Sequence, residues 1–212
     1  MKMDMINPYV MKIIIAARKQ DSISAIAERI NVSYGWTHKW ISELIGEGIF
    51  KEKWKGVVLQ ENNKIYKQTI KFMRNNVNPV SFYYTALTLF GIQYCFTKTD
   101  AVYIWTEGRY NIARYKAFYP IFIKVKKSEY TTFLWYCKKL GLKINKKRGV
   151  FYVPEITAEV AYAKKGMYQV ESLDTTIKFM KENAYNFEPA LEMIDEMYCK
   201  GLGIKYREAD TA

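Results

Sequence analysis

Between Ser22 and Ile49 the chain carries two short amphipathic runs about a three-residue interruption, and that spacing restricts the fold more than any other feature. Ile23, Ile26, Ala27 and Ile30 recur at helical spacing behind Ser22, a good N-cap. Asn31-Val32-Ser33 makes a short turn, and Ser33 caps the next run. There Thr37, Ile41 and Leu44 fall at i, i+4 and i+7, so one stripe packs inward. Tyr34, Gly35, His38, Lys39 and Ser42 are left facing outward. Gly46 and Gly48 close the second helix.

The flanks extend the pattern. Val10, Ile13, Ile14 and Ala17 mark an earlier helix from Pro8 to Gln20. Ile49 to Trp54 reads as a strand, Lys55-Gly56 as a turn and Val57 to Leu59 as the returning strand. Alternation puts Lys51, Lys53 and Lys55 on one face, beside Trp54. Asn62-Asn63 leads into a fourth helix, about Lys64 to Arg74. From Ser22 to Ile49 the segment resembles the winged helix-turn-helix of MarR- and ArsR-type regulators. The departures are Gly35 and Trp36, where that family has small polar residues. The resemblance implies duplex DNA as partner, with Ser33, Tyr34, Gly35, His38, Lys39 and Ser42 on the recognition helix and Lys51, Lys53 and Lys55 on the wing. Physical chemistry points the same way: an outward helix stripe suits the major groove, a Lys-lined hairpin suits phosphates, and Gly35 lets backbone approach an anion. The rival reading of the three lysines is a solvated edge that blocks sheet-to-sheet association.

The charge is +12, from 33 basic and 21 acidic residues, which favours an anionic partner or a well-solvated surface. Half of the 212 residues are apolar, which excludes a disordered chain. Cys95, Cys137 and Cys199 form no C-x-x-C pair, so three reduced, mostly buried thiols in a cytoplasmic setting are expected. No leader is evident, and the longest near-apolar stretch, Phe82 to Phe96, is short for a membrane span, so no membrane partner is expected.

Asn75-Asn76-Val77-Asn78-Pro79 is the best boundary, giving domains at 1–76 and 80–212. The predicted class is α+β: a winged helix-turn-helix, then a mixed α/β domain ending in helices. In that second domain a helix is expected over Ser81–Ile92, strands over Ala101–Thr106 and Ile121–Val125, a helix over Ser128–Leu140 and a strand over Gly149–Val153. Beyond Pro154, helices are expected near 155–165, 172–183 and 187–199. Residues 79–148 hold 13 basic against 3 acidic residues. Within them Lys138, Lys139, Lys143, Lys146, Lys147 and Arg148 form a dense cluster. It reads as a second nucleic-acid surface or a site for an acidic protein. Tyr110, Tyr115, Tyr119, Tyr130 and Tyr136 suit core or interface more than stacking on single strands.

Phe82–Ile92, Val102–Thr106 and Gly149–Tyr162 give the whole chain a resemblance to the AbiEi antitoxins, which also begin with a winged helix. That implies an autorepressor with a toxin as protein partner, bound through the second domain. Where the family has an Arg and an Asp, this chain has Glu155, Thr157 and Glu159.

No chemistry is spelled out. P-loop and G-x-G-x-x-G motifs are absent, as is E-x-K, with Asp100 and Glu107-Gly108-Arg109 the nearest approach. Glu155 and Glu159, if helical, would share a face. His38 is the single histidine and cannot alone hold zinc. No enzyme activity, metal or cofactor is expected. A homodimer is, because one recognition helix reads little sequence. The alternatives are a replication or recombination initiator of a mobile element, and a nucleic-acid enzyme with an unrecognised site in the second domain.

Overall fold

The computed structural model describes residues 7–76, 79–112, 114–115 and 117–206. The chain is α+β, as predicted. It forms two compact units. One holds the described residues up to Gly91 together with Trp135–Leu142; the other holds Ile92–Leu134 and the residues from Lys143 onward.

The first unit runs α1 (Pro8–Ala16), β1 (Gln20–Asp21), α2 (Ile23–Ile30), α3 (Tyr34–Gly46), β2 (Phe50–Lys53), β3 (Gly56–Leu59), α4 (Lys64–Asn76) and α5 (Pro79–Thr88). Local chemistry sets the helix starts. The Asn7 side chain accepts from Tyr9 N at 2.9 Å with Pro8 at the first helical position, Ser22 Oγ accepts from Ala25 N at 3.1 Å, and Ser33 Oγ from Trp36 N at 3.4 Å. Asn31 ends α2 in the left-handed region, where asparagine is tolerated. Val10, Ile13 and Ile14 of α1, Ile26 of α2, and Ile41 and Leu44 of α3 are fully buried. Each contributes about 1.5–3 kcal/mol of burial, enough to fix which stripe of α3 turns inward. The strands form an antiparallel sheet in the order β1-β3-β2. Val77 and Asn78, the centre of the expected boundary, lie outside the described residues.

Trp135–Leu142 completes this unit. Tyr136 is fully buried, stacks on Phe90 at 4.3 Å and donates its hydroxyl proton to Ala16 O. Lys139 Nζ donates to the carbonyls of Ile14 (2.6 Å), Ile15 (3.1 Å) and Ala17 (2.5 Å). Ile14 and Ile15 lie in the last turn of α1 and Ala17 is its C-cap, so these carbonyls would otherwise be orphaned; burial pushes the Lys139 amine well below its ordinary pKa.

The second unit contains β4 (Tyr94–Phe96), α6 (Lys98–Trp105), β5 (Phe118–Lys126), the first half of α7 (Tyr130–Leu140), β6 (Gly149–Thr157), β7 (Ala163–Lys165), β8 (Tyr168–Val170), α8 (Leu173–Glu182) and α9 (Ala184–Tyr198). Its sheet runs β6-β5-β4-β8-β7, with β5 parallel to β6, β4 antiparallel to β5 and parallel to β8, and β7–β8 a hairpin. The expected strand over Ala101–Thr106 is instead α6. Asp100, Ala101, Val102, Ile104 and Trp105 are all buried, and a run apolar on every side has no period to separate helix from strand. The expected helix near 155–165 is also corrected. β6 continues through Pro154 to Thr157, in register with β5 along its whole length. β6 is an edge strand, where a residue without an N–H is tolerated. The helices expected near 172–183 and 187–199 are present as α8 and α9.

Asp100 is fully buried; its Oδ1 lies 2.6 Å from Arg114 Nη1, and its Oδ2 accepts from Phe122 N at 2.7 Å. The Arg114 guanidinium lies over the rings of Tyr119 (4.6 Å) and Tyr103 (5.5 Å). Two of the tyrosines considered for stacking, Tyr119 and Tyr136, are buried in the core, while Tyr115 is exposed. Among the described residues no helix is long and apolar enough to cross a membrane.

Candidate nucleic-acid interface

With Thr37, Ile41 and Leu44 buried, α3 leaves Tyr34, Gly35, His38, Lys39 and Ser42 exposed. Helical spacing then sorts them. Tyr34, His38 and Ser42 follow one another at i, i+4 and i+8 and line a groove of about 330 Å3. The Tyr34 and His38 rings lie 5.8 Å apart. The opposite wall is the β2–β3 hairpin, which contributes Lys53 and Lys55, and the floor includes Ser22 and Ser24 at the start of α2. Glu52 is the one carboxylate among the lining residues. A second depression of about 460 Å3 adjoins through Ser22, Lys53 and Lys55 and adds Gln20, Asp21 and Trp54.

Lys39 is exposed on a different flank of α3. Its Nζ stands 5.1 Å from the Trp36 ring and 5.9 Å from that of Trp40, and Trp36 meets Tyr9 edge to face. Ser33 is exposed, with its hydroxyl used as the α3 cap. Gly35 is open: a Cβ there would meet nothing within 4 Å.

Lys51 and Lys53 share a face of β2, as alternation requires, and both are exposed. Lys55 lies beyond the strand. Trp54 and Lys55 form a two-residue turn between the paired Lys53 and Gly56, and Lys55 has a φ of 59°. Sequence alternation does not carry through such a turn. Lys53 Nζ donates to Gln20 Oε1 at 2.9 Å, which ties the hairpin to β1. β1 is itself pinned: the Asp21 carboxylate pairs with Arg29 and accepts from Arg18 N at 3.0 Å. Burial holds the Arg29 guanidinium below its ordinary pKa.

The second basic cluster is divided. Lys138 is exposed in the first unit, whereas Lys143, Lys146, Lys147 and Arg148 are exposed in the second. Lys139 drops out of any such surface, because its ammonium is spent on three α1 carbonyls. The helix-based pairing of Glu155 with Glu159 is also removed. Glu155 sits on β6 opposite Lys124, and Glu159 follows the strand in a loop. Lys124 pairs instead with Glu171 at 2.5 Å. Asp100 is engaged by Arg114, and among the described residues no three His, Cys, Asp or Glu side chains gather as a metal site.

Sequence reasoning missed Ser24 and the groove-lining role of Ser22. Ser22 is legible as a cap, but nothing in periodicity says that the α2 start faces the hairpin. Trp54 is 83% exposed, unusual for so large an aromatic, and sequence gave only its place among lysines. No family model, no curated protein and no solved structure matches the chain.

Proposed function

We propose that the first unit is a winged helix-turn-helix that binds double-stranded DNA sequence-selectively, and that the chain is a cytoplasmic transcriptional regulator acting on its own promoter. The observation that carries this reading is the groove in which Tyr34, His38 and Ser42 of α3 face Lys53 and Lys55 of the hairpin. Hydroxyl, imidazole and phenol groups offer donors and acceptors to base edges, and the ammonium groups suit flanking phosphates. Gly35 adds support. A glycine near a helix start costs stability, and no neighbour among the described residues demands it there, whereas a closely approaching phosphate would.

Binding of the purified protein to duplex from its own upstream region, against random duplex across a salt series, tests this. Preference for the upstream duplex, reduced in His38→Ala/Ser42→Ala, supports sequence reading. Lys53→Ala/Lys55→Ala weakens binding to both duplexes and flattens the salt slope by about 2. Equal, salt-insensitive binding to both duplexes would remove the reading.

A further inference from the structure

The hairpin tip presents an aromatic ring left largely in solvent. Trp54 is 83% exposed at the two-residue turn, although burying an indole is among the larger apolar gains a side chain offers. The ring is not loosely displayed. Lys55 Nζ lies 5.6 Å from its centroid, β3 is paired on both edges, and Lys53 is bonded to Gln20. Gly56, next to the turn, packs so close to Asp21 O that no Cβ fits. These contacts hold the tip in one place, so little ordering remains to be lost when it meets a partner.

The neighbours of the ring define that partner's chemistry. Lys53 and Lys55, both exposed, line one depression with it. A bare indole among ammonium groups is suited to a surface with stacked rings flanked by anions, which is a nucleic acid. A two-stranded hairpin with its side chains is wider than the minor groove of B-DNA, about 6 Å, so only the side chain at the tip, the indole, enters it.

We propose that Trp54 is a wedge: its indole enters the minor groove of the bound duplex and inserts at a base step, partly unstacking it, while Lys53 and Lys55 contact the adjoining phosphates. This rests on the winged-helix reading and adds a source of selectivity. Pyrimidine–purine steps unstack most easily, so the wedge selects such a step beside the bases read by α3.

The test uses the full chain and upstream-region duplexes carrying 2-aminopurine at successive positions, with affinity measured across a salt series. A several-fold change in fluorescence at one step, lost in Trp54→Ala and still present in Trp54→Phe, is the expected result. Trp54→Ala should weaken binding about 5- to 150-fold without changing the salt slope. Replacing that step by a stiff A-tract should weaken the wild type and leave Trp54→Ala unchanged. Salt-sensitive binding with no fluorescence change at any position, or with Trp54→Ala equal to wild type, overturns the wedge and leaves the winged-helix reading standing. Absence of salt-sensitive binding by the wild type overturns both. Unaltered DNA binding by Trp54→Ala with a changed sedimentation coefficient assigns the ring to a protein interface and likewise overturns the wedge.

Discussion

Gly56 and the Asp21 carbonyl oppose each other at the end of the β1–β3 pair so closely that a Cβ on Gly56 would sit under 3.0 Å from the oxygen. The obstacle is backbone, which cannot swing aside as a side chain can. Gly56→Ala is therefore expected to displace the hairpin and destabilise the first unit by about 1–3 kcal/mol in urea denaturation. Duplex affinity should fall with it, because Lys53 and Lys55 move too.

Gly35 should behave in the opposite sense. A methyl group meets nothing there, and alanine is the better helix former, so Gly35→Ala should raise stability by up to about 1 kcal/mol. Duplex affinity should nevertheless drop. A variant that is both more stable and tighter-binding would show that no close backbone approach occurs at this position.

Removing the Lys139 ammonium should orphan the end of α1. Lys139→Met keeps most of the stem yet leaves the Ile14, Ile15 and Ala17 carbonyls without their donor. Loss of at least about 1–3 kcal/mol is expected. Lys138→Met, on an exposed neighbour, should stay within about 0.5 kcal/mol of wild type in the same denaturation series.

In the second unit the Asp100–Arg114 pair is out of water on both sides, with side chains 0% and 2% exposed. Arg114→Met removes the charge partner of a buried carboxylate and should cost about 3–5 kcal/mol. The double change Asp100→Asn/Arg114→Met should cost less than the two single changes added together, as a double-mutant cycle would read.

The three thiols should separate by reactivity. Burial pushes Cys95 up to about 12 and raises Cys137 as well, whereas Cys199 is exposed. Brief alkylation of the native protein near pH 8 should label Cys199 alone by mass spectrometry. The linkage has a definite sign. Because the folded-state value of Cys95 lies above its unfolded one, this thiol's share of stability is complete below about pH 9 and is lost as pH rises toward 12. A chemical-denaturation midpoint that falls over that alkaline window is the matching observation.

The parts of this chain that sequence reveals are those with a clean period or a named cap. Ser22 and Ser33 both cap the helices expected of them, and Thr37, Ile41 and Leu44 do turn inward. The hairpin is legible to within a residue: Lys55 is expected in the turn and occupies a left-handed turn position, but the face shared by Lys51 and Lys53 does not extend to it. The misreadings share a cause. Ala101–Trp105 is buried on nearly every side, so its helix has no polar face to announce it. The strand expected over Gly149–Val153 runs on through Pro154, whose edge position depends on a sheet order set by residues far from it in sequence. Likewise Lys139 reads as one more cation in a basic run. Its role at α1 is set by carbonyls more than 120 positions earlier.

That distance bears on how the protein is made. The tyrosine and lysine that close the end of α1 leave the ribosome 120 or more residues after it. Until then the Tyr136 ring is missing from its place on Phe90, and the carbonyls that Lys139 serves must be met by water. The amino-terminal unit thus finishes folding late, on a schedule set by synthesis of distant residues. A nascent chain stalled before Trp135 would display the helices of that unit without the segment that locks them.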